Sequence, residues 1–598
     1  MQTKQEKVIE EEILKEISPE EMLQTVEFLS ERIGGPRLPG TPKEYNAAVY
    51  VKNRFESYGV PAEIEELDCY VDRSVESQLR ILSPEMKDVI CESFGWSFST
   101  QPGGVTSDVV GLDYGTLEEY RRVDVAGKII LCRSGKIRRG EKAKHAEEHG
   151  AAGLIMIAPF PGNIISQLGT VGKLRHIPAV TVSYEDGQYL RQLLEKGVVT
   201  ARLKVTSIRE WAKTYNVTAT LVGLKRPDEE ISVGAHLDNW GPGAYDGGSQ
   251  LAGVLELARI FSKFREKIGR TIIFEGWGGH EHGMYGSTHR VFDKEPAHVQ
   301  RHLVFHMTLG PTFGWKDFKV DENTELRTNT SPEIQDFLRE IVNEQGLGKT
   351  WATDYPTFTG ADHVLYFLAG ITSMHARGWF LSTKTPIWHA TALDTFRSLR
   401  VDQKALEDTK KLMKLWGTII LRIANSEALP YNYVRWGERL RTEFETYSCT
   451  AVDFSRIIQE SKELEKLAGE LNNQISKIAA LSQSPKQEKR VREIYDKVNK
   501  ALIQPSRMII PCIHNVDSYR RGEWVQPWPE KVQTLPITAL PKMCEEIANL
   551  KMETKAFTEA KEHLETETDR LARTLKKAGG VLNQITKEVI SLAGIQET

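Results

Sequence analysis

The stretch ISVGAHLDNWGPGAYDGGSQLAGVLELARIF, residues 231–261, decides the fold because an apolar run, a glycine-rich turn and a helical pattern follow one another in it. The run ISVGAHL is typical of a buried strand, and LAGVLELARIF carries apolar residues at helical spacing. The turn between them holds His236, Asp238 and Asp246. Since sites in open α/β sheets lie beyond the carboxyl ends of the strands, we expect a functional site at this turn.

The same alternation of apolar runs and helical patterns covers residues 218–425. The runs TIIFEGW, HLVFHMTL and ITSMHA alternate with patterns such as SPEIQDFLREIVNEQ. Continuous apolar strands that alternate with helices are typical of a largely parallel sheet covered on both faces. We therefore predict an α/β fold built on a mostly parallel sheet flanked by helices.

Three domains are predicted along the 598 residues. Residues 85–205 repeat a strand-to-helix order between polar loops, so we interpret them as a small α/β insertion. The flanking segments 1–84 and 206–428 then form one discontinuous domain, in which AEIEELDCYV and SQLRILSP are expected to be separate strands. From 429 to 598 long charged helical segments predict a helical domain.

Composition limits the partners and the location of the protein. The chain is 40% hydrophobic and 27% charged, and its net charge of -4 gives no electrostatic reason to expect nucleic acid. Six cysteines without a CxxC pair favour reduced thiols over a disulfide framework or a thiolate zinc site. No stretch has the apolar length of a signal peptide or a membrane span. We therefore expect a cytoplasmic protein without a membrane partner.

Side chains that bind metals follow the ends of four successive predicted strands. The imidazole of His236 and the carboxylate of Asp246 suit Zn²⁺ and similar ions. Asp238 lies two residues after His236 and is expected to accept its second ring N–H, which fixes the tautomer. Chance is a poor explanation for four such strand ends, so the sequence predicts a metal site. The remaining candidates are His280 and Glu281 in GWGGHEHGMYGS, His389 in PIWHATALDT, and His306 or Thr308 in FHMTLG.

These motifs resemble those of the M28 metallopeptidase family, particularly the branch that contains glutamate carboxypeptidase II and the transferrin receptor. The resemblance implies one or two divalent metal ions with zinc as the first choice, a protease-associated domain at 85–205 and a homodimer formed through the C-terminal helices. The family's HxD, GAxD, WxxEExGxxGS, GxDH-like and YH motifs correspond in order to His236-Leu237-Asp238, Gly243-Ala244-Tyr245-Asp246, residues 277–287, Gly360-Ala361-Asp362-His363 and Trp388-His389.

The sequence departs from the family pattern at two positions. Where the family carries a general-base glutamate before a ligand glutamate, this chain has His280 before Glu281. Where the family carries a ligand aspartate, the following methionine aligns His306, whereas the spacing aligns Thr308. If His306 is a ligand, Asp246 still bridges two metal ions. Zinc, manganese, iron, nickel or copper then fits the site. Without His306 one metal remains, and its ligands are Asp246, Glu281 and His389.

The resemblance implies a metal-dependent hydrolase that cleaves an amide or related C–N bond of a small peptide-like or amino-acid-derived substrate. Metal-bound water has a pKa of ~7, close to that of imidazole, so His280 can take its proton, and Asp238 is the second expected catalytic residue. Tyr245, His363 and Arg377 are expected to contact the substrate, Arg377 through a carboxylate. Two alternatives stay open: a metal-dependent lyase or narrow-substrate amidohydrolase, and a non-catalytic scaffold like the transferrin receptor.

Overall fold

The computed structural model describes most of the chain, including all of the predicted strand ends except the last. The predicted ligand His389 and its neighbour Trp388 lie outside the described residues. Those residues are 4–137, 139–162, 176–316, 324–354, 361–381, 391–447, 449, 451–479, 485–513, 544, 547–550, 552 and 554–594.

One twisted sheet runs through the molecule. The strands are β1 Ala62–Ser83, β2 Lys87–Val89, β3 Cys91–Ser93, β4 Val105–Gly111, β5 Ile129–Arg133, β6 Gly153–Ile157, β7 Ala179–Val182, β8 Thr200–Leu221, β9 Arg226–His236, β10 Arg270–Trp277, β11 Leu303–Leu309, β12 Thr324–Thr330, β13 Trp351–Asp354 and β14 Ser373–Leu381. Their order across the sheet is β13-β12-β14-β11-β9-β10-β8-β4-β5-β6-β7-β3, with β1 paired to β8 and β2.

Helices surround this sheet, and the last ones along the chain form a bundle whose core continues that of the sheet. They are α1 Lys4–Leu14, α2 Pro19–Glu27, α3 Pro42–Ser57, α4 Leu117–Tyr120, α5 Arg139–Glu148, α6 Tyr184–Lys196, α7 Ser249–Lys263, α8 Tyr285–Thr288, α9 Pro296–His302, α10 Gln335–Glu344, α11 His363–Leu368, α12 Gln403–Asn425, α13 Val434–Thr446, α14 Ser455–Ala479, α15 Pro485–Leu502, α16 Gln504–Ile513 and α17 Lys555–Ala593. In the described part of the chain, no helix combines the length and apolarity needed to cross a bilayer.

The centre of the sheet is parallel and buried. β9 pairs in parallel with β10 on one side and with β11 on the other, and β11 pairs in parallel with β14. On one face α7 contacts the sheet where Gly253 approaches Leu309 and Leu251 approaches Gly276. On the opposite face α11 places Tyr366 against His306. Helices therefore cover both faces, and the predicted fold class is confirmed.

The strand β1, which leads to the inserted module, is longer than the sequence predicts. AEIEELDCYV and SQLRILSP belong to a single strand, β1, which pairs antiparallel with β8 from Ala62↔Ala219 to Ser83↔Thr200. The expectation of two strands is therefore wrong. Between the two apolar parts Asp72 is buried and paired with Arg209 of β8, Arg73 and Glu76 are partly buried, and Ser74 is exposed. These polar residues interrupt the apolar pattern, whereas the pairing with β8 continues through them.

The insertion has apolar cores of its own, whereas the C-terminal helices share one continuous core with the sheet and its helices. β4, β5, β6 and β7 are parallel neighbours, with α5 and α6 beside them. Ser183 begins α6, since its hydroxyl accepts the backbone N–H of Asp186 at 3.1 Å. After α12 the described residues are helical in their regular structure, and α14 packs along both α13 and α17. This arrangement matches the predicted order of an α/β insertion and a helical C-terminal region.

Candidate metal centre

His236 ends β9 with a defined ring orientation. Its Nδ1 lies 2.8 Å from the backbone carbonyl oxygen of Asp238. Because a carbonyl oxygen only accepts, Nδ1 carries the hydrogen and Nε2 holds a lone pair in the neutral ring. Nε2 faces Oδ1 of Asp246 at 3.4 Å. Two acceptors at this distance need a proton or a cation between them, so the pair has the electrostatics of a cation site.

The carboxylate of Asp238 has a different contact from the one predicted. It lies 3.9 Å from His236 Nδ1, and its two oxygens instead accept the backbone N–H groups of His280 at 3.0 Å and Glu281 at 2.9 Å. The tautomer is therefore fixed by the carbonyl of Asp238 rather than by its carboxylate. The side chain is fully buried and holds the turn after β10 against the end of β9.

His280 forms a buried ion pair with Asp362. His280 Nδ1 lies 2.8 Å from Asp362 Oδ2, and Ser287 donates its hydroxyl hydrogen to Asp362 Oδ1 at 2.5 Å. The His280 ring also stacks on that of His236, with centroids 4.2 Å apart. Burial lowers the pKa of His280, but the carboxylates of Asp362, Asp238 and Asp246 outweigh burial and raise it to about 9. Burial raises the pKa of Asp362, yet His280 brings it down to about 2.

Asp394 fixes the loop that carries Asp246. Its carboxylate oxygens accept the backbone N–H groups of Tyr245 at 2.8 Å and Asp246 at 3.2 Å. The ring of Tyr245 stacks on Trp315 with centroids 4.4 Å apart. Gly243 takes a left-handed φ of 63°, and a Cβ there would lie 2.7 Å from the Asn239 side chain, so only glycine fits. The loop is therefore held from both ends, and the sequence did not identify Asp394.

Arg37 is a second residue that the sequence did not identify. It is fully buried in the GGPRLPGTP segment, which the sequence presents only as a helix breaker. Its guanidinium donates to the backbone carbonyls of Pro242 at 2.6 Å and Leu29 at 3.1 Å, with longer bonds to Leu237 and Gly243. Burial lowers its pKa to about 10, and nearby aspartates oppose that shift. Arg37 therefore fixes the loop between His236 and Asp246.

Glu44 supports the other turn of the site. Its side chain is fully buried on α3, Oε1 accepts the hydroxyl hydrogen of Thr214 at 2.5 Å, and the carboxyl accepts the backbone N–H of Gly279. A Cβ on Gly278 would lie 2.2 Å from the Thr214 hydroxyl, so that position requires glycine. Burial, followed by the charge of Asp238, raises the pKa of Glu44 well above its usual range. A neutral Glu44 thus holds the turn just before His280.

We expect Glu44→Gln to keep the stability of the protein and Glu44→Ala to lower it by about 2–3 kcal/mol. The amide retains an oxygen acceptor in a neutral group, whereas alanine leaves Thr214 and the Gly279 N–H unsatisfied next to a cavity. Urea unfolding of both variants measures the difference. Equal destabilisation by Gln and Ala would show that Glu44 acts through a negative charge.

The structure does not bring His306 to the candidate metal centre. Its Nδ1 lies 2.9 Å from the Ser232 hydroxyl and its Nε2 lies 2.8 Å from the Thr308 hydroxyl. Its ring stacks on Tyr366 with centroids 3.5 Å apart. Burial lowers the pKa of His306 well below its usual range, so the ring is neutral. The ligand role considered for His306 is therefore wrong, because both nitrogens are used inside the sheet, and the Thr308 hydroxyl is used in the same contact.

Two of the predicted substrate residues, His363 on α11 and Arg377 on β14, lie on the next helix and strand, and Tyr245 lies in the turn after β9. Thr308 is in register with His375 on β14, whose ring stacks on His363 with centroids 5.1 Å apart. Burial, opposed by Asp362 and reinforced by Arg377, lowers the pKa of His363 to about 3. The charge of Arg377 also acts on Tyr245. Tyr245, His363 and Arg377 are thus close enough to interact electrostatically.

Glu281 lies where the inserted module meets the turn after β10. It is 5% exposed, and its carboxylate acts on the guanidinium of Arg139 at the start of α5. In the described part of the chain, no three His, Cys, Asp or Glu side chains converge closely enough to hold a metal ion. Of the predicted metal ligands that the structure describes, His236 and Asp246 contact each other, and Glu281 lies on the adjoining turn.

Two family models match the chain. Residues 216–416 match the model described as peptidase family M28, and residues 103–190 match the model of the PA domain. The first range contains His236, Asp246, His280 and Glu281, and the second lies within the inserted module.

Curated relatives of the M28 region are aminopeptidases by name. The probable leucine aminopeptidase 2 of Trichophyton verrucosum (strain HKI 0517) is 32% identical over 244 residues, which are 39% of this chain and 48% of that protein. Aminopeptidase YwaD of Bacillus subtilis (strain 168) is 28% identical over 363 residues, 58% of this chain and 73% of that protein. The chain thus spans about half the length of the leucine aminopeptidases that it matches.

A solved structure has the same fold. BSAP, a zinc aminopeptidase from Bacillus subtilis, superposes with a TM-score of 0.55 and 23% identity over 67% of this chain and 94% of that chain. Residues 216–416 are therefore similar to peptidase family M28 and to leucine aminopeptidases, and residues 103–190, ahead of them, are similar to the PA domain.

Proposed function

We propose that the protein is a metal-dependent hydrolase similar to aminopeptidases, and that it cleaves an amide or related C–N bond of a small peptide-like or amino-acid-derived substrate. The observation that carries this proposal is the approach of His236 Nε2 to Asp246 Oδ1 at 3.4 Å within the M28 region. The names of the relatives, leucine aminopeptidase and zinc aminopeptidase, support the same reaction class.

A single zinc ion fits the ligand-capable side chains best. His236 Nε2 and an oxygen of Asp246 form the described pair, and Glu281 and His389 complete the proposed set. At the position where the family carries a ligand aspartate, this chain has His306 or Thr308 and therefore no carboxylate. The side chains of these two residues bond to each other inside the sheet. Bound zinc supplies a Lewis acid that makes water acidic near neutral pH.

His280 is proposed to carry the proton in this reaction. Asp362 Oδ2 contacts Nδ1, so Nδ1 keeps its hydrogen and Nε2 is the nitrogen that exchanges a proton. Asp238 holds the backbone of the same turn, and stacking on His236 fixes the plane of the ring. The replacement of a glutamate by histidine gives this position a protonated form that is charged rather than neutral. Because the pKa of His280 is raised to about 9, that form predominates at neutral pH, and the ring accepts a proton only as the pH approaches 9.

Asp362→Asn is expected to lower kcat by about 10- to 100-fold, because the amide no longer fixes the tautomer and charge of His280. KM and zinc content are expected to stay unchanged, since Asp362 lies behind His280 and not among the proposed ligands. Steady-state kinetics with zinc analysis measure this split. The matched control is Ser287→Ala, which removes the hydroxyl bonds to Asp362 and to the Met284 carbonyl and leaves the Asp362 carboxylate in place. An unchanged kcat in the Asn variant would rule out the orienting role.

The substrate is proposed to lie beside Tyr245, His363 and Arg377. Arg377 is the cation of this group, and a guanidinium binds a carboxylate through two parallel hydrogen bonds. An assay of the zinc-loaded protein against leucyl anilides, dipeptides and N-acylated amino acids tests the reaction class. Hydrolysis that disappears on chelation supports the proposal. Bound zinc without hydrolysis of any compound contradicts it and favours the lyase alternative.

A further inference from the structure

His282 connects the turn after β10 with strand β1. The residue directly follows Glu281, and its side chain is fully buried. His282 Nε2 lies 3.0 Å from the backbone carbonyl oxygen of Asp72 in the middle of β1. Because a carbonyl oxygen only accepts, Nε2 carries the hydrogen and donates it. Nδ1 has no hydrogen-bond partner among the described residues, so the bond to Asp72 is the polar contact that fixes this ring.

The carboxylate of Asp72 joins the same part of β1 to the inserted module. This side chain is fully buried, Oδ1 accepts the backbone N–H of Trp96 at 2.9 Å, and Oδ2 accepts the Nε–H of Arg209 at 2.7 Å. Trp96 and Ser97 lie in the connection between β3 and β4, and Arg209 lies on β8. The Arg209 guanidinium also donates to the backbone carbonyls of Trp96 at 2.8 Å and Ser97 at 3.0 Å. One ion pair thus joins both long strands to the module.

Two tryptophan rings pack against His282. Trp240, from the turn after β9, lies 5.0 Å from the His282 ring between centroids. Trp96, from the inserted module, approaches it edge to face at 6.2 Å. Trp240 is 7% exposed and Trp96 is fully buried. His282 therefore lies between a residue of the candidate site and a residue of the module, in packing that leaves the ring little freedom.

We infer that His282, Asp72 and Arg209 are positioning residues, through which the inserted module fixes the turn after β10. This turn carries His280 and Glu281, whose backbone N–H groups bond to a carboxylate just after β9. The bond from His282 to β1 fixes the turn immediately after Glu281. The ligand role of Glu281 rests on the proposed function, whereas the fixing of the turn does not. Residues that orient metal ligands typically change metal affinity by about 10- to 100-fold when they are replaced.

Hydrogen exchange measured by mass spectrometry tests the fixing of the turn without metal or activity. The reporters are the amides of residues 278–286, which bond within the turn or to Asp238. His282→Phe keeps a ring and removes the donor, whereas His282→Gln keeps a donor and removes the ring. We expect exchange of these amides to become about tenfold faster or more in His282→Phe, and to change less than about threefold in His282→Gln. Exchange in β11, residues 303–309, is expected to stay unchanged.

Two results of this comparison overturn the inference. One is a turn that exchanges in His282→Phe as slowly as in the unmodified protein. The other is equal acceleration in His282→Phe and His282→Gln, which would show that ring packing rather than the bond to Asp72 holds the turn.

Arg209→Met tests the contribution of the module. The variant removes the cation of Asp72 and the donor to the Trp96 and Ser97 carbonyls, so we expect the same amides to exchange about fivefold faster or more. Lys204→Met is the matched control on the same strand, because Lys204 pairs with Glu76 in a partly exposed contact at 2.6 Å. An Arg209→Met protein that exchanges like Lys204→Met would remove the module from the inference.

Zinc affinity relates the turn to the proposed function. We expect the Kd for zinc to rise by about 10- to 100-fold in His282→Phe and to stay within about threefold in His282→Gln. Equal zinc affinity in both variants, together with faster exchange in His282→Phe, would overturn the positioning of a ligand. An unmodified protein that binds no zinc contradicts the proposed function instead, and the exchange comparison then decides whether the module fixes the turn.

Discussion

His236→Ala is expected to remove zinc binding and to lower kcat/KM by a factor of about 10³ or more. The lost imidazole is one of the two described groups that face each other across 3.4 Å, and without it the proposed set falls to three side chains, two of them carboxylates, which hold Zn²⁺ less tightly. A factor of 10³ corresponds to about 4 kcal/mol of transition-state stabilisation, which is in the range expected of a catalytic metal. Zinc analysis and steady-state kinetics measure both effects.

His298→Ala is the control for this variant. His298 lies on the partly exposed helix α9 and bonds to Glu230 at 2.8 Å, away from the candidate metal centre, so its loss is expected to change neither zinc content nor kcat/KM. Urea unfolding of both variants shows whether the fold is retained. A His236→Ala protein that binds as much zinc as the unmodified protein would contradict the assignment of His236.

Arg37→Met is expected to lower the free energy of unfolding by about 3–5 kcal/mol, the range for removing one partner of a buried charge network. The variant keeps the volume of the side chain but leaves the carbonyls of Pro242 and Leu29 without a donor. It also leaves Asp238, Asp246 and Asp394 without the cation that opposes their repulsion. Equilibrium denaturation in urea measures the change.

Arg122→Met is the matched control for Arg37→Met. Arg122 pairs with Glu118 on the surface, and both side chains are 72% exposed, so its loss is expected to cost less than about 1 kcal/mol. A result for Arg37→Met as small as that for Arg122→Met would mean that Arg37 does not hold the loop between His236 and Asp246.

The sequence predicts the centre of the fold because burial leaves a pattern there. Residues 231–236 of β9 are all buried, and a continuous apolar run followed by a helical pattern is the signal of such a strand. The strand β1 has no comparable signal, since polar residues interrupt its apolar pattern in the middle, and its continuity depends on pairing with β8 far along the chain. Long-range pairing of this kind cannot be derived from local spacing.

The same difference between local patterns and long-range contacts applies to the candidate site. His236, Asp246, His280 and Glu281 lie at the ends of neighbouring parallel strands, and sheet topology alone brings such ends together. His306 also lies in a parallel strand, but its position inside the strand rather than at the end places it in the sheet.

The supporting residues were not predictable from one sequence. Arg37 and Glu44 lie in and just after a glycine- and proline-rich segment, where no periodicity marks a buried charge. Their importance appears only when the backbone groups that they hold are known. The homodimer and the cytoplasmic location depend on a second chain and on the cellular compartment, and they stay predictions.

The zinc content of the full-length protein shows whether His236 and Asp246 belong to a metal site. The protein is stripped with a chelator, dialysed against a slight excess of zinc, freed of unbound metal and analysed by mass spectrometry for metal per chain. We expect one zinc ion per chain, held by His236 and Asp246 with Glu281 and His389. A metal-free protein under these conditions would contradict the account of the site, and two ions per chain would contradict the single-ion proposal.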